Sequence, residues 1–276
     1  MKVILNNTQL KKIIKLNQNI GFVPTMGSLH KGHISLIKES KKKSKKTLVS
    51  IFVNPKQFND KKDFINYPRN INKDKSILKN LKVDFLYLPS TKEIFPKSSK
   101  LIKKISKKNQ ILCAKFRKGH FEGVLNVMDR LTYLINPRNI FMGEKDYQQL
   151  LIVKKLVEIE KLSLKITGCP IHRQENGLAM SSRNARLTSQ QLEEATFIYK
   201  ILHQVKQDFP SKSARQLRQW VTAKFDNNPH LRLEYFEISN VKNLRPLSRK
   251  RKHQKYRAFI AAFAGEIRLI DNMAIN

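Results

Sequence analysis

The residues best suited to chemistry lie in GFVPTMGSLHKGH, residues 21–33, where two histidines flank a glycine. The apolar run predicts a strand, and a helix is expected to begin near Gly32. The positive end of a helix and its free N–H groups attract anions, and Gly27 and Gly32 would let a phosphate approach the backbone. His30 and His33 could both donate to phosphate oxygens. This spacing predicts a nucleotide-phosphate site.

Two further segments carry residue types that bind phosphate. FMGEKDYQQL, residues 141–150, contains Lys145, suited to terminal phosphates, and Asp146, suited to a ribose hydroxyl or Mg²⁺. ENGLAMSSRNARL, residues 175–187, adds consecutive serines and Arg183, whose guanidinium can contact two phosphates at once. Each segment alone would also suit a solvated helix start or a serine-rich cap. Combined with the histidines, they favour ATP chemistry.

Two glutamines lie near these segments, and Gln57 is a candidate for contacts with substrate hydroxyl and carboxylate groups. Gln57, in FVNPKQF at 52–58, follows an expected strand end, and Gln149 lies one helical turn beyond Lys145. A neutral amide can bind hydroxyl and carboxylate groups without adding charge. The pattern around Gln57 would not identify a site by itself.

The elements that position these segments alternate between strand and helix over the first half of the chain. Helices are expected over 8–16, 124–135 and 147–159. Strands are expected to end near residue 24 and to cover 47–53, 83–88, 139–142 and 162–167. This alternation is typical of a parallel sheet.

After about residue 171 the pattern changes to helices followed by strands. The elements expected there are a helix over 188–209 that starts with a capping box of Thr188 and Gln191, a helix from near Ser213, and strands over 231–238, 256–264 and 267–270. We therefore predict an α/β protein. A smaller α+β domain is expected to follow a boundary near residues 169–174.

The charge is strongly positive, with 55 Lys and Arg residues against 21 Asp and Glu residues, a formal +34. Such an excess can indicate nucleic-acid binding. The lysines are spread widely, however, as at 41–46 and 103–108. The chain is also rich in Asn and Ile, which an AT-biased genome favours together with Lys. We interpret the charge as compositional drift on a solvated surface and expect no specific nucleic-acid partner.

The sequence also indicates the cellular compartment. The two cysteines, Cys113 and Cys169, have no metal-binding or redox spacing, and a chain of 276 residues needs no disulfide to fold. The first residues do not resemble a signal or transit peptide. The longest clean apolar run, 258–264, is too short to cross a bilayer. These features predict a cytoplasmic protein without a membrane partner.

Taken together, the motifs resemble those of the pantothenate synthetase (pantoate–β-alanine ligase) family, within the HxGH nucleotidyltransferase-like group. The shared segments, in order, are PTMGxLHxGH, SIFVNPxQF, YPR at 67–69, GHFxGV at 119–124, FxGEKDYQQL, LAMSSRN and RLIDN at 268–272. They cover essentially the whole chain. Lys118 stands where the family has a proline, and residues 97–115 are only loosely similar.

The resemblance implies an enzyme that condenses pantoate with β-alanine through a pantoyl-adenylate intermediate, giving pantothenate, AMP and pyrophosphate. It implies ATP as substrate, Mg²⁺ with unassigned ligands, and a homodimer. It also implies a Rossmann-like parallel-sheet catalytic domain over 1–171 and a smaller α+β C-terminal lid domain over 172–276. It assigns His33 as the catalytic histidine, and Gln57 and Gln149 to the pantoate and β-alanine substrates. The ATP contacts it assigns are Met26, Gly27, Ser28, Leu29, His30, Lys31, Gly32, His33, Gly143, Glu144, Lys145, Asp146, His172, Met180, Ser181, Ser182 and Arg183.

Two other functions fit parts of the sequence. An aminoacyl-tRNA synthetase-like enzyme shares the HxGH logic and would use the positive charge, but residues 172–276 leave little room for a tRNA-binding domain. A non-enzymatic RNA-binding protein should interleave basic stripes with exposed aromatics. Most aromatics here fall in apolar strand or helix patterns instead.

The charge interpretation predicts weak, non-specific RNA binding. Because such binding depends on counterion release, affinity should fall by orders of magnitude between about 50 and 200 mM salt. Replacing the lysines of 41–46 and 103–108 by glutamine should leave ligase activity close to that of the unaltered chain. Filter binding with tRNA and an unrelated RNA at about 150 mM salt tests this prediction. Tight binding that discriminates between the two RNAs would contradict it.

Overall fold

A computed structural model describes residues 1–96 and 110–276, which divide into two compact units. The N-terminal unit comprises Met1–Asn109, as far as it is described, with Arg117–Glu144 and Gln149–Ile171. The C-terminal unit comprises Gln110–Phe116, Lys145–Gln148 and His172–Asn276. The sequence did not indicate that the two short segments belong with the C-terminal unit. The domain boundary at 171/172 and its lid role stay predictions, and the lysine run at 103–108 lies outside the described residues.

The N-terminal unit is built on a six-stranded sheet in the order β1-β4-β3-β2-β5-β6, with every pair parallel. Its strands are β1 (Lys2–Ile4), β2 (Ile20–Thr25), β3 (Lys46–Ile51), β4 (Phe85–Tyr87), β5 (Asn139–Gly143) and β6 (Lys165–Cys169). The predicted parallel sheet is confirmed. Its central strands are buried runs, as expected for strands covered on both faces.

The helices of the first 171 residues connect these strands. They are α1 (Asn7–Leu16), α2 (Lys31–Lys43), α3 (Lys61–Ile65), α4 (Ile71–Asn80), α5 (Thr91–Ile94), α6 (Cys113–Phe116), α7 (His120–Ile135) and α8 (Tyr147–Ile159). Helix α2 packs on β2, β3, β5 and β6. Its fully buried Ile37 joins Val23, Val49 and Phe141 in the core of the unit. This packing fixes the position at which α2 begins.

The strand order reverses direction between β2 and β5. From β2 the chain proceeds to β3 and β4 on one side, and it returns to β5 and β6 on the other. Residues Gly21 and Phe22 of β2 pair with Asn139 and Ile140 of β5. In open parallel sheets, ligands bind outside the carboxyl ends of the strands at such a switch point. The segments that follow β2 and β5 are two of the predicted ATP segments.

The C-terminal unit contains a three-stranded antiparallel sheet, β7-β8-β9. Its elements are α9 (Ser189–Glu194), α10 (Thr196–Asp208), α11 (Ala214–Asp226), β7 (Leu231–Asn240), β8 (Tyr256–Ala264) and β9 (Ile267–Ala274). Helix α10 packs on β8 and β9, and α11 packs on β7. The sheet predicted from the apolar runs is therefore present, with β9 longer than expected.

The helix predicted over 188–209 is in fact two helices, α9 and α10. Its start was predicted correctly, because Thr188 and Gln191 form the expected capping box. The two helices meet at the fully buried Ala195. The hydroxyl of Thr196 donates to the carbonyl of Glu193 at 2.7 Å, and such side-chain bonds compete with the helical ladder.

Two surface features bear on the sequence predictions. None of the helices in 1–96 and 110–276 is long and apolar enough to cross a membrane. The lysine run at 41–46 forms the end of α2 and the start of β3, where Lys43 pairs with Glu39 at 2.5 Å and Lys46 with Asp84 at 2.9 Å. Both lysine side chains are about half exposed, so these pairs are solvated.

Candidate active site

The loop from β2 to α2 makes a tight left-handed turn. Gly27 has a φ of 79° and Ser28 a φ of 51°. The buried carboxylate of Asp74, 2% exposed on α4, accepts the N–H of Ser28 at 2.9 Å and the N–H of Leu29 at 2.8 Å. A Cβ on Gly27 would meet Asp74 and Ile51, each at 3.0 Å. Glycine is therefore needed here for both its backbone conformation and the close approach of Asp74.

The two histidines cap the start of α2 with their own rings. Nδ1 of His30 accepts the N–H of Gly32 at 3.1 Å, and Nδ1 of His33 accepts the N–H of His30 at 3.4 Å. The ring centroids are 4.0 Å apart. Because Nδ1 of each ring is an acceptor, the neutral rings carry their protons on Nε2. Each imidazole thus has an Nε2–H donor.

Most backbone N–H groups of this loop donate to acceptors within the protein. The N–H groups that donate within the protein are those of Gly27, Ser28, Leu29, His30 and Gly32. Anion binding by this segment stays a prediction, for which the two imidazoles offer Nε2–H donors.

Sequence reasoning missed Asp74. It lies 46 positions from Ser28, in a helix with few apolar residues that was not predicted. A local signal was present, because Asn70 caps the helix by accepting the N–H of Lys73 at 3.0 Å. That signal could have located α4 but not the partner of its carboxylate.

Gln57 lies in a short 3-10 turn, Pro55–Gln57, beside the first motif. Its Nε2 lies 2.7 Å from the sulfur of Met26, and its Oε1 accepts from Asn54 at 3.2 Å. The side chain is 9% exposed. The structure thus brings a predicted substrate residue into contact with a predicted ATP residue.

The GHFxGV segment supports this turn from behind. The ring of His120 contacts the carbonyl of Gln57 through Nδ1 at 2.7 Å and the guanidinium of Arg117 through Nε2 at 2.9 Å. Since a guanidinium can only donate, Nδ1 carries the proton and donates to Gln57. A Cβ on Gly123 would lie 2.7 Å from the Cα of Gln57, so only glycine lets α7 pack this closely. Neither His120 nor Gly123 was predicted to support the site.

The carboxyl end of β5 is open. A Cβ on Gly143 would meet no atom of the described residues within 4 Å, so no packing contact among them requires glycine there. Glu144 follows and is half-buried. At the end of the neighbouring strand, burial raises the pKa of the Cys169 thiol to about 11. Cys169 is therefore protonated at neutral pH and unsuited to be a nucleophile.

The remaining predicted residues belong mostly to the C-terminal unit. Lys145 is half-buried and Asp146 is exposed, in the 3-10 turn Glu144–Asp146. The carbonyl of Lys145 accepts from Nδ2 of Asn272 at 2.8 Å. Gln149 is half-buried on α8 and is counted with the N-terminal unit.

The serine segment is held by a short hairpin at 172–180. Met180 donates its N–H to the carbonyl of His172 at 3.0 Å, and the side chain of His172 is exposed. Ser181 then caps the 3-10 turn Ser182–Arg186 by accepting the N–H of Arg183 at 3.3 Å. Predicted residues 172 and 180–183 are therefore one local substructure.

Comparison with known proteins identifies the family to which these segments correspond. The family model described as pantoate-beta-alanine ligase matches residues 2–274. The pantothenate synthetase of Christiangramia forsetii is 44% identical over 97% of this chain and 95% of its own. That of Flavobacterium psychrophilum is 45% identical over 97% of this chain and 96% of its own.

Solved structures agree. The crystal structure of pantothenate synthetase from Thermus thermophilus matches with a TM-score of 0.93 at 31% identity, covering 100% of this chain and 99% of that one. The pantoate-beta-alanine ligase of Francisella tularensis, described as complexed with beta-gamma ATP and β-alanine, matches with a TM-score of 0.83 at 40% identity. That match covers 100% of this chain and 98% of the other.

Asp74→Asn should impair turnover by displacing the loop. The amide offers one acceptor for two N–H groups, so an N–H group loses its acceptor at a cost of about 1–3 kcal/mol in the free energy of unfolding. Displaced histidines should lower kcat for ATP-dependent product formation by roughly 10–10²-fold. Steady-state kinetics and thermal unfolding measure both effects.

Asp84→Asn is the matched control. Asp84 likewise accepts a backbone N–H, that of Thr47 at 2.9 Å, and it also pairs with Lys46. It lies at the amino ends of β3 and β4, the edge opposite the motifs. This variant should lose stability but keep kcat. Equal losses of kcat in the two variants would contradict a specific role for Asp74.

Proposed function

This chain belongs to the pantoate–β-alanine ligase family, and from that membership we propose how its residues carry the reaction. The enzyme forms pantothenate from ATP, pantoate and β-alanine. One observation carries the residue assignment: two histidines accept backbone N–H groups at Nδ1 where α2 begins, just after β2, the strand at the switch point of the sheet.

The reaction we propose has two steps. A carboxylate oxygen of pantoate attacks the α-phosphorus of ATP, and the bond from that phosphorus to the bridging oxygen of pyrophosphate breaks. The amine of β-alanine then attacks the carbonyl carbon of pantoyl adenylate. AMP leaves with the electrons of the carbon–oxygen bond, and the nitrogen gives up a proton as the amide forms. Each step requires charge on phosphate oxygens to be stabilised.

His33 is the catalytic residue in this proposal, with His30 beside it. Both Nδ1 atoms accept backbone N–H groups, so Nε2–H is the ring group that can donate to α-phosphate oxygens. The geometry is set before ATP arrives, because the rings cap the helix that carries them. A preorganised donor stabilises developing charge without reorganising during the step.

The other ATP contacts we propose follow from the family resemblance. Lys145 and Arg183 neutralise terminal phosphates, and Asp146 binds a ribose hydroxyl or the metal-bound nucleotide. The open space over Gly143 supports close approach of the nucleotide to the end of β5. The proposal includes all the ATP residues assigned by resemblance, namely Met26–His33, Gly143–Asp146, His172 and Met180–Arg183.

Mg²⁺ is part of this proposal as a companion of ATP. Among residues 1–96 and 110–276, no three His, Cys, Asp or Glu side chains form a cluster that could hold a metal ion. Mg²⁺ commonly binds through substrate phosphates with one or two protein carboxylates, which fits the exposed carboxylate of Asp146. When bound, the ion would neutralise phosphate charge.

Gln57 and Gln149 bind pantoate in our proposal. The contact of Gln57 with Met26 supports this role, because the attacking carboxylate must lie next to the ATP loop. We also propose a homodimer, from the family resemblance, and a cytoplasmic location. Both cysteines are free thiols, which fits a reducing compartment.

The first test of the proposal is the adenylation requirement. AMP release should need ATP, Mg²⁺, pantoate and β-alanine together. Exchange of labelled pyrophosphate into ATP should need ATP, Mg²⁺ and pantoate but not β-alanine. The exchange is expected because the first step forms pantoyl adenylate reversibly. Exchange that depends on β-alanine and not on pantoate would contradict this order of steps.

A second prediction concerns His33→Ala. Removing one preorganised donor should lower kcat by roughly 10²–10³-fold while changing the Kd for ATP much less. His33→Gln, which keeps an N–H donor, should recover part of the loss. His203→Ala, an exposed histidine on α10, is the control and should keep kcat. A nearly unchanged kcat with a raised KM for ATP would show that His33 only binds the nucleotide.

A further inference from the structure

The RLIDN segment, 268–272, has no role in the mechanism above, although two of its side chains are among the most buried polar groups of the C-terminal unit. Asp271 is 5% exposed and Asn272 is 1% exposed, and both lie on β9. Buried polar groups in a sheet need partners. Their partners include groups in the two segments of this unit that carry proposed ATP contacts.

Asn272 holds the segment of Lys145. Its Nδ2 donates to the carbonyl of Lys145 at 2.8 Å, and its Oδ1 accepts from the guanidinium of Arg257. That guanidinium lies 4.2 Å from the ring centre of Tyr147. The backbone carbonyl before Asp146 and the tyrosine ring after it are therefore in contact with β9 and β8.

Asp271 holds the hairpin at 172–180. Its carboxylate makes a two-pronged pair with Arg173, at 2.6 and 3.0 Å, and also accepts the N–H of Asn272. The same guanidinium donates to the carbonyl of Gly177 at 3.0 Å and to that of Asn272 at 3.2 Å. Arg173 thus attaches the hairpin to β9 through both Asp271 and Asn272.

The hairpin in turn sets the serine segment. Arg173 bridges to Ala179, and Asn184 donates to the carbonyl of Ala179 at 3.1 Å. Ser181 and Ser182 lie between these two attachments. A displacement of Arg173 would therefore move the hydroxyls and the guanidinium of residues 181–183.

We propose that Asp271 and Asn272 are positioning residues for ATP, which fix the Lys145 segment and the 172–183 segment to one strand. This inference rests on the proposed ATP contacts of Lys145 and Arg183. A bidentate carboxylate–guanidinium pair is directional, so it fixes orientation as well as distance. Neither Asp271 nor Asn272 is itself a proposed ATP or substrate contact.

Asp271→Asn tests the inference against a matched control in the same sheet, Glu234→Gln. Glu234, on β7, pairs with Arg268 at 2.5 Å, and the two arginines are almost equally buried, 18% exposed for Arg173 and 16% for Arg268. Each change replaces a paired carboxylate by its amide. Both should lower the Tm, but only Asp271→Asn should raise the Kd for ATP, by about 10-fold or more, measured by calorimetry without pantoate.

Lys145→Ala and Arg183→Ala separate this inference from the proposed function. If both weaken ATP binding and Asp271→Asn leaves the Kd within twofold, the positioning role is wrong and the ATP contacts stand. If neither weakens ATP binding, the ATP contacts are wrong and the positioning role is overturned with them. Equal weakening by Glu234→Gln would also overturn it.

Arg173→Lys provides a second variant if Asp271→Asn does not fold. It keeps the charge but loses the fork that reaches Asp271 and Gly177 together. It should raise the Kd and KM for ATP while leaving the KM for pantoate nearly unchanged. An unchanged Kd for ATP in a folded Arg173→Lys variant would overturn the proposal.

Discussion

The loop between β2 and α2 is held in place by one buried carboxylate, that of Asp74 on α4. Asp74 accepts two successive N–H groups in a turn whose backbone is left-handed at Gly27 and Ser28. Without an acceptor, those N–H groups would be buried and unsatisfied. With it, the chain enters α2 at a fixed point and the two imidazoles follow. The geometry of the histidines is thus a consequence of a contact made by another helix.

Buried polar groups serve the same purpose in each unit. Asp74 and His120 fasten the segments that carry His33 and Gln57, and Asp271 and Asn272 fasten those of the C-terminal unit. None of these four residues is itself a proposed substrate contact. Because a buried polar network is costly when only partly satisfied, each one restricts its segment to a single arrangement. In the proposed site, conformational freedom is then left to long side chains such as Lys145 and Arg183.

Features set by local sequence could be predicted from the chain alone. The capping box of Thr188 and helix 147–159 depend on residues a few positions apart, and both are present as expected. The parallel sheet followed from the alternation of strand-like and helix-like segments. The break at Ala195 could not be predicted, because the apolar pattern of 188–209 is continuous; at the break the hydroxyl of Thr196 donates to the carbonyl of Glu193.

The candidate site was predictable where a motif carries its own chemistry and unpredictable where the partner is distant. The pair of histidines was evident from spacing, but Asp74 is 46 positions from Ser28 and Asp271 is 98 from Arg173. Gly123 shows the same limit, since its need for glycine arises only when α7 meets Gln57. Residue type and spacing carry no information about such contacts.

The central claim is that His30 and His33 accept backbone N–H groups at Nδ1 and present Nε2–H to phosphate. Long-range ¹H–¹⁵N correlation spectra of the ligand-free enzyme measure this directly, because a protonated and an unprotonated ring nitrogen have well-separated shifts. Single His30→Gln and His33→Gln variants assign the two rings. Both neutral rings should be the Nε2–H tautomer. A neutral His33 ring protonated on Nδ1 would contradict it.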